Sequence, residues 1–424
     1  MTKQLHRVVQ GSEAGRNSRP YFVTSLVVAG AIIIMASVSV AALGARGGSS
    51  SLGTSAKTSH TTNAPTGTAH LVGRWIVPHD ESGAPVVPTS GGAVEGLGSF
   101  NGVSCPTSSE CVAVGGDGEL NAVVSTSQDG GSTWTQGIIE QNEPELNAVD
   151  CESVSNCVAV GSGATVRTSD GGETWTSSSI PAVDTTLLGV TCPSTTMCVS
   201  VGVSPSQNGP YTGQLLLSSD GGITWSVPSL PATVGALGSV DCPTSSFCVA
   251  VGASILVSND GGETWTESTV NGGTGVLRSV SCESATICVA IGGNPAVSQV
   301  ADVMAYGIVT TDGGAQWETT SMPASTGTVN TVSCSGTACV AVGSAQGNSP
   351  VQVLTTTSGS TWTPDSSFGS PGTAFSGLSC YSSTSCVFVG QNGTQPVTVS
   401  TTGGVPVSSD PVTPQVRTQK DEVR

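Results

Sequence analysis

Between residues 80 and 416 the chain has neither histidine nor lysine. That removes Ser-His-Asp hydrolysis, Schiff-base chemistry and His-ligated metals from this stretch. Carboxylates remain. The chain carries 29 acidic against 12 basic residues, a net charge of −17, and between residues 75 and 407 its only cations are Arg167 and Arg278. A surface of that sign repels phosphate backbones, so nucleic acid is excluded as a partner. Glu140, Glu143 and Glu145, with Asp117 and Glu119, form a local acidic cluster suited to a cation or a basic partner, or equally to a solvated loop. Tyr211, Asp302 and Tyr306 fall in two long insertions and are candidates to pack on a sugar or peptide. Glycoside hydrolysis needs two carboxylates about 5–10 Å apart; Glu143, Asp184 and Asp302 are the candidates. No cofactor and no metal is called for.

The cysteines supply the organising pattern. They fall into pairs: Cys105/Cys111, Cys151/Cys157, Cys192/Cys198, Cys242/Cys248, Cys282/Cys288, Cys334/Cys339 and Cys380/Cys386. Each pair is expected at the connection between the first and second strands of its unit. Zinc prefers C-x2-C or Cys with His, and no His follows His79. Hairpin spacing and an exported location point instead to seven local disulfides, each worth at most ~2 kcal/mol in the chain-entropy account. After most pairs comes a second motif with an Asp and a Trp: Asp129 and Trp134, Asp170 and Trp175, Asp220 and Trp225, Asp260 and Trp265, Asp312 and Trp317. Residues 355–362, ending at Trp362, are a worn copy, and residues 400–404 are more worn still. In the second unit, strands are expected at 146–150, 158–161, 165–168 and from Trp175 onward, because Gly and Asp clusters bound β-branched runs. Four strands in about 40–45 residues, repeated around the chain, predict an all-β seven-bladed β-propeller of four-stranded blades. The seventh unit lacks the Trp, so residues 72–78, containing Trp75, are expected to close the ring as its outer strand.

The S/T-x-D-G-G-x-T-W motif resembles the Asp-box (BNR) repeat of sialidase-like propellers, a superfamily that includes photosystem II assembly factors, sortilin-type receptors and some glycan hydrolases. The resemblance spans residues 72 to 407 and implies a structural turn between the third and fourth strands, with the Trp buried. It would also imply an arginine triad and a Tyr nucleophile if sialidase activity were retained. Only Arg167, Arg278 and, at the seam, Arg74 are present, so that activity is not expected. The basic partner-binding surface of the assembly factors has no counterpart either.

Residues 21–43 are uncharged and long enough to cross a bilayer, and follow Lys3, Arg7, Arg16 and Arg19. The positive-inside rule leaves residues 1–20 in the cytoplasm and exports the remainder. A cleaved signal, giving a secreted protein, is the alternative. Residues 44–70 read as a flexible Gly/Ser/Thr linker, 71–407 as the propeller and 408–424 as a disordered tail. The expected function is a membrane-anchored, non-catalytic binding or assembly module for a protein or polysaccharide. The alternatives are a glycoside hydrolase with a carboxylate pair and a purely structural cell-surface protein. The first-to-second and third-to-fourth strand turns share one end of the ring. Length variation at 137–146, 203–214, 293–306 and 344–351 falls at the other, where loops on a rigid scaffold usually bind.

Overall fold

The structure, a computed structural model, describes residues 99–407 except 120, 140–142, 182–183, 206–210, 271–274, 295–303, 324–327, 344–352, 366–372, 393–394 and 403–404. The expected cytoplasmic segment, membrane span, linker and tail lie outside the described residues. Among the described residues no helix is long and apolar enough to cross a membrane.

Seven antiparallel sheets follow one another along the chain. The first holds β1 (Ser99–Ser104), β2 (Cys111–Gly116), β3 (Ala122–Ser127) and β4 (Thr135–Gln136). The second holds β6 (Leu146–Cys151), β7 (Cys157–Gly161), β8 (Thr165–Thr168) and β9 (Thr174–Ser178), matching the strands expected from sequence; β5 (Ile138–Ile139) joins its outer edge. The third has β10 (Thr186–Thr191), β11 (Cys198–Ser204) and β12 (Thr212–Ser218), the fourth β13 (Leu237–Asp241), β14 (Cys248–Gly252), β15 (Ile255–Ser258) and β16 (Thr266–Ser268). The fifth is β17 (Val276–Cys282), β18 (Cys288–Asn294), β19 (Met304–Thr310) and β20 (Glu318–Thr319), and the sixth β21 (Val329–Ser335), β22 (Ala338–Gly343), β23 (Val353–Thr356) and β24 (Thr363–Asp365). The seventh is β25 (Thr373–Ser382), β26 (Ser385–Asn392), β27 (Gln395–Thr402) and β28 (Val405–Val407). Each innermost strand packs on the next, β1 on β6, then β10, β13, β17, β21 and β25, which returns to β1. The ring is therefore a closed seven-bladed β-propeller.

Three details depart from expectation. The fourth strand of the last blade is β28, paired Ser400 with Val407; that position is not filled by residues 72–78, which lie outside the described residues. Thr402 pairs with Val405, so β28 is reached without a Trp motif. In the third blade the fourth strand shrinks to a single bridge, Leu217 with Ser226. Pro228 has no N–H, so the ladder cannot continue.

The third departure concerns Cys339 and Cys386. Instead of bounding the connection, as expected, both lie inside the second strand of their blades, β22 and β26. The ladder runs past the disulfide in these two hairpins: Cys334 pairs with Cys339 and Ser335 with Ala338, and Cys380 pairs with Cys386 and Ser382 with Ser385. Two-residue turns, Gly336-Thr337 and Ser383-Thr384, make the connection. Gly336 takes φ 57°, which a two-residue hairpin turn readily uses. The five other hairpins have the second cysteine as the first residue of the second strand, in β2, β7, β11, β14 and β18.

The second strand of every blade reads Cys-Val-x-(Val or Ile)-Gly and is buried on both faces, because neighbouring blades cover it from either side. Its Gly is forced. In all seven blades a Cβ there, for example at Gly161 or Gly252, would lie 1.9–2.1 Å from a main-chain oxygen at the start of the first strand. That close approach accompanies a bulge in each first strand, at Asn101, Asn147, Leu188, Gly238, Arg278, Asn330 and Ser376.

Blades are also strapped together on the outside. After the fourth strand the chain runs parallel to the next blade's motif: Ile138 pairs with Thr174, and Ser179 with Thr224, Ser229 with Thr264, Val270 with Trp317 and Ser321 with Thr361. After Trp134, Trp175, Trp225, Trp265 and Trp317 the residue five places on is apolar and packs into the cluster of the following Trp. Ile139 meets the Trp175 cluster, Ile180 that of Trp225, Leu230 that of Trp265, Val270 that of Trp317 and Met322 that of Trp362. Leu230→Ala is expected to lower stability by ~2 kcal/mol, the low end for a Leu-to-Ala change because the side chain is only partly buried. Val227→Ser, at a side chain 53 % exposed, should change urea stability by no more than ~0.5 kcal/mol.

Candidate binding face and axial channel

At one end of the ring the two motifs meet. All seven cysteine pairs are disulfide-bonded within their own hairpins: Cys105–Cys111, Cys151–Cys157, Cys192–Cys198, Cys242–Cys248, Cys282–Cys288, Cys334–Cys339 and Cys380–Cys386. Among the described residues no cysteine is free. In five blades the first Gly of the Asp-Gly-Gly turn donates its N–H to a carbonyl of the disulfide hairpin: Gly130 to Ser109 at 2.8 Å, Gly171 to Ser155 at 3.0 Å, Gly221 to Thr196 at 2.7 Å, Gly261 to Ser246 at 3.0 Å and Gly313 to Thr286 at 3.0 Å. Those glycines have φ of 70–77°, a left-handed conformation in which Gly carries no Cβ penalty.

The turn's carboxylate is consumed locally. Asp220 Oδ1 accepts the Ser218 hydroxyl and the Thr224 N–H, both at 2.8 Å, while Oδ2 accepts the Thr224 hydroxyl at 2.6 Å. The Ser218 oxygen takes the Gly222 N–H at 2.8 Å. Burial raises the Asp220 pKa, but the bonds from Thr224 and Ser218 outweigh it and hold the carboxyl below its ordinary value. Asp129, Asp170, Asp260 and Asp312 are lowered as well. Trp134, Trp175, Trp225, Trp265 and Trp317 are all buried. Among the described residues no group of three or more His, Cys, Asp or Glu is placed to hold a metal.

The opposite end carries the remaining candidates, and the structure separates them. Glu143 accepts the hydroxyl of Ser177 on β9, the fourth strand of its blade. Glu145 accepts Asn101 Nδ2 from the innermost strand of the neighbouring blade at 2.7 Å. Asp117 closes its own turn, taking the N–H groups of Glu119 and Asn121 at 2.7 and 3.1 Å. Burial raises its pKa, yet the Asn121 side chain and these N–H groups bring it below the ordinary value. Asp184 stands at φ 65°, the one left-handed residue other than Gly among those described. Tyr211 opens onto solvent, 47 % exposed. Tyr306 is moved from loop to core: it lies within β19, is 9 % exposed, and packs with Phe247, Leu277 and Trp317. A Cβ on Gly275 would strike its ring at 2.1 Å, so that Gly leaves room for the Tyr. Glu140 and Asp302 lie outside the described residues.

The axial wall was not anticipated from sequence. At six of the seven seams the residue before the first cysteine of a pair reaches across to the next blade. Cys151 N–H donates to Ser104 Oγ at 3.1 Å, Cys192 N–H to Asp150 Oδ2 at 2.6 Å, and Cys282 N–H to Asp241 Oδ2 at 2.6 Å. Cys334 N–H donates to Ser281 Oγ at 3.1 Å, Cys380 N–H to Ser333 Oγ at 3.0 Å, and Cys105 N–H to Ser379 Oγ at 3.0 Å, which closes the circle. Toward the other end of the same strands the bulge residues bond across the same seams: Asn101 Nδ2 to Leu146 O at 2.9 Å, Asn147 Nδ2 to Leu187 O at 2.8 Å, and Arg278 Nη1 to Asn330 Oδ1 at 3.0 Å. Burial pushes Asp150 up, opposed by the Cys192 N–H and Ser104, with Glu152 adding to the rise. Burial pushes Asp241 up to about 6, opposed by the Cys282 N–H, with the Asp150 charge adding to the rise. Both keep partial solvent access although protein surrounds them, as side chains lining a narrow channel do. The sequence signal was a polar residue, Ser, Asp or Thr, immediately before every first cysteine.

A groove of about 600 Å³ lies at the disulfide end, between the fourth and fifth blades, and is lined by Phe247, Val257, Glu267, Thr286 and Asp312.

Removing the hydroxyl in Ser258→Ala strands the buried Gly262 N–H, which it accepts at 2.8 Å. The expected cost is ~1–3 kcal/mol in urea denaturation, the usual penalty for an orphaned buried donor. Stability from the five lowered aspartates is present above their unfolded pKa and lost as pH falls through the folded values. Acid unfolding below about pH 4 should therefore accompany their protonation.

No protein-family profile matches the sequence, and no curated protein is similar to it. Solved structures are. YCF48 bound to a D1 peptide superposes with a TM-score of 0.52 at 16% identity, over 71% of this chain and 93% of that one. The GH74 xyloglucanase of Xanthomonas campestris gives 0.54 at 13%, over 76% of this chain and 54% of the enzyme. The WD40 propeller domain of Doa1 gives 0.52 at 10%, over 73% and 94%. At these identities the likeness is one of fold, and the chain is a seven-bladed β-propeller.

Proposed function

We propose that the chain is a non-catalytic binding or assembly module built from Asp-box repeats and displayed outside the cytoplasm, anchored through residues 21–43 or secreted after cleavage. The observation that carries the non-catalytic reading is the fate of its carboxylates. Those in the Asp-Gly-Gly turns accept hydrogen bonds from their own turn, and Asp150 and Asp241 accept backbone N–H groups across blade seams. Carboxylates used in this way for the propeller's own construction are poorly placed for acid–base work. The binding surface we assign is the loop-bearing end, where Tyr211 directly precedes β12 and Glu143 and Glu145 lie in the segment leading into β6, and the ligand is a protein or an extended peptide. The YCF48 structure with its peptide and the Doa1 domain support that use of the fold by analogy. Glu140 and Asp302 belong to the same proposed end; Tyr306 does not.

One observation favours a second reading, a glycoside hydrolase: the pair Asp150 and Asp241 has raised pKa values, as a general acid requires. Both carboxylates are, however, already engaged by a Cys N–H at 2.6 Å.

The test is a peptide and glycan binding screen on the exported portion, with hydrolysis followed in parallel. Tyr211→Ala should weaken a captured ligand by ~10-fold, as loss of an aromatic anchor does. Glu267→Gln in the groove should leave affinity unchanged. Loss of binding only in the groove variant would move the site to the disulfide end. Glycan turnover abolished by Asp150→Asn would establish the enzyme reading.

A further inference from the structure

We propose that the inner seam of the propeller is proton-responsive: Asp150 and Asp241 together take up a proton on mild acidification, and the closed ring is held more firmly when they do. Five of the seven equivalent positions are filled by Ser104, Thr191, Ser281, Ser333 and Ser379, hydroxyl groups that carry no charge at any working pH. Where these serines act they accept the next blade's Cys N–H at 3.0–3.1 Å, so the seam does not require a carboxylate. Two aspartates at such positions therefore bring negative charge to the channel wall for a bond that a hydroxyl makes equally well.

The charges facing the pair are all of one sign. Asp150 feels Glu152 on its own hairpin, and Asp241 feels Asp150 across the blade between them. The other groups against them are neutral: the Ser104 hydroxyl and the Cys192 and Cys151 N–H groups at Asp150, and the Cys282 and Cys242 N–H groups at Asp241. Among the described residues the cations are Arg167, on β8, and Arg278, at the bulge position toward the other end of the inner strands. Neither is among the groups that shift the pair. Desolvation and mutual repulsion thus outweigh the two 2.6 Å bonds.

The sign follows from linkage. A carboxyl whose folded pKa stands above its unfolded value binds protons preferentially in the folded state. Its stabilisation is complete below about 3.8 and is lost as pH rises through the folded value, about 6 for Asp241. The window of interest, roughly pH 5 to 7.5, lies above the acid range in which the Asp-Gly-Gly aspartates titrate.

The experiment is thermal unfolding of the full chain across that window, for the wild type, Asp241→Asn and Asp241→Ser, the last installing the residue found at most equivalent positions. Wild-type Tm should fall by several degrees from pH 5 to 7.5, and both variants should flatten the profile and melt higher than wild type at pH 7.5. Infrared titration of the wild type should show a carboxyl group changing near pH 6 that Asp241→Asn lacks. A wild-type Tm that is level or rises across the window overturns the proposal. So does a pair of folded variants retaining the wild-type slope, or an infrared profile with no carboxyl titrating above pH 5. If Asp241→Asn fails to fold, Asp241→Ser and the wild-type infrared titration still decide.

Discussion

The ring depends on one contact repeated around its axis: the N–H of the first cysteine in a blade donating to the side chain that precedes the first cysteine of the blade before it. The contact joins Cys151 to Ser104, Cys192 to Asp150, Cys282 to Asp241, Cys334 to Ser281, Cys380 to Ser333 and Cys105 to Ser379. Each such bond is worth only about 1 kcal/mol net. Its importance is positional. It fixes the height of one blade against the next at the point where the disulfide begins, so the hairpin, the Asp-Gly-Gly turn bonded to it and the outer strap inherit that register. A blade of this composition, with aromatics only 4% of the chain, has little apolar area with which to set the register by packing alone.

The order of the blade elements was legible because it rests on local chemistry. The disulfide hairpins, the Asp-Gly-Gly turns and the buried Trp are each written within a few residues, and the strands of the second blade fall where the Gly and Asp punctuation placed them. What escaped the sequence reading depends on relations between blades. The role of Ser104, Asp150 or Ser379 is visible only once the next blade is in place, and the strap residues Ile180 and Leu230 look like ordinary loop hydrophobics until the following Trp is beside them. Tyr306 was misplaced for a related reason: Asn294, Pro295, Ser298 and Asp302 are scattered through the chain after Gly293, so no single turn signal divided strand from insertion. Cys339 and Cys386 were set at the strand connection because spacing gives the pairing but not the turn; only the ladder shows that β22 and β26 begin one residue before them. Ring closure was assigned to the N-terminal segment because the worn motif at 400–404 hid the short β28.

The two ends of the propeller consequently do different work. At the disulfide end the Asp-Gly-Gly turns are tied within themselves and to the disulfide hairpins, from Asp220 to Thr224 and from Gly221 to Thr196, which leaves that end rigid. The other end carries the chain's length variation and its exposed Tyr211. Along the inner strands of the axial wall, Asn101, Asn147, Arg278 and Asn330 stand toward the loops, interrupted by Leu188 and Gly238, and hydroxyls and carboxylates stand toward the hairpins. Placing two acids in that narrow space costs stability near neutral pH, and that cost is the clearest sign that the channel was not shaped for packing alone.

Native-state hydrogen exchange of the six donor amides tests the seam most directly. If these contacts hold the ring, the N–H groups of Cys105, Cys151, Cys192, Cys282, Cys334 and Cys380 exchange only with global unfolding, at a common rate that follows overall stability as denaturant is added. Exchange of those amides by independent local opening, as fast as that of loop amides, would contradict the account.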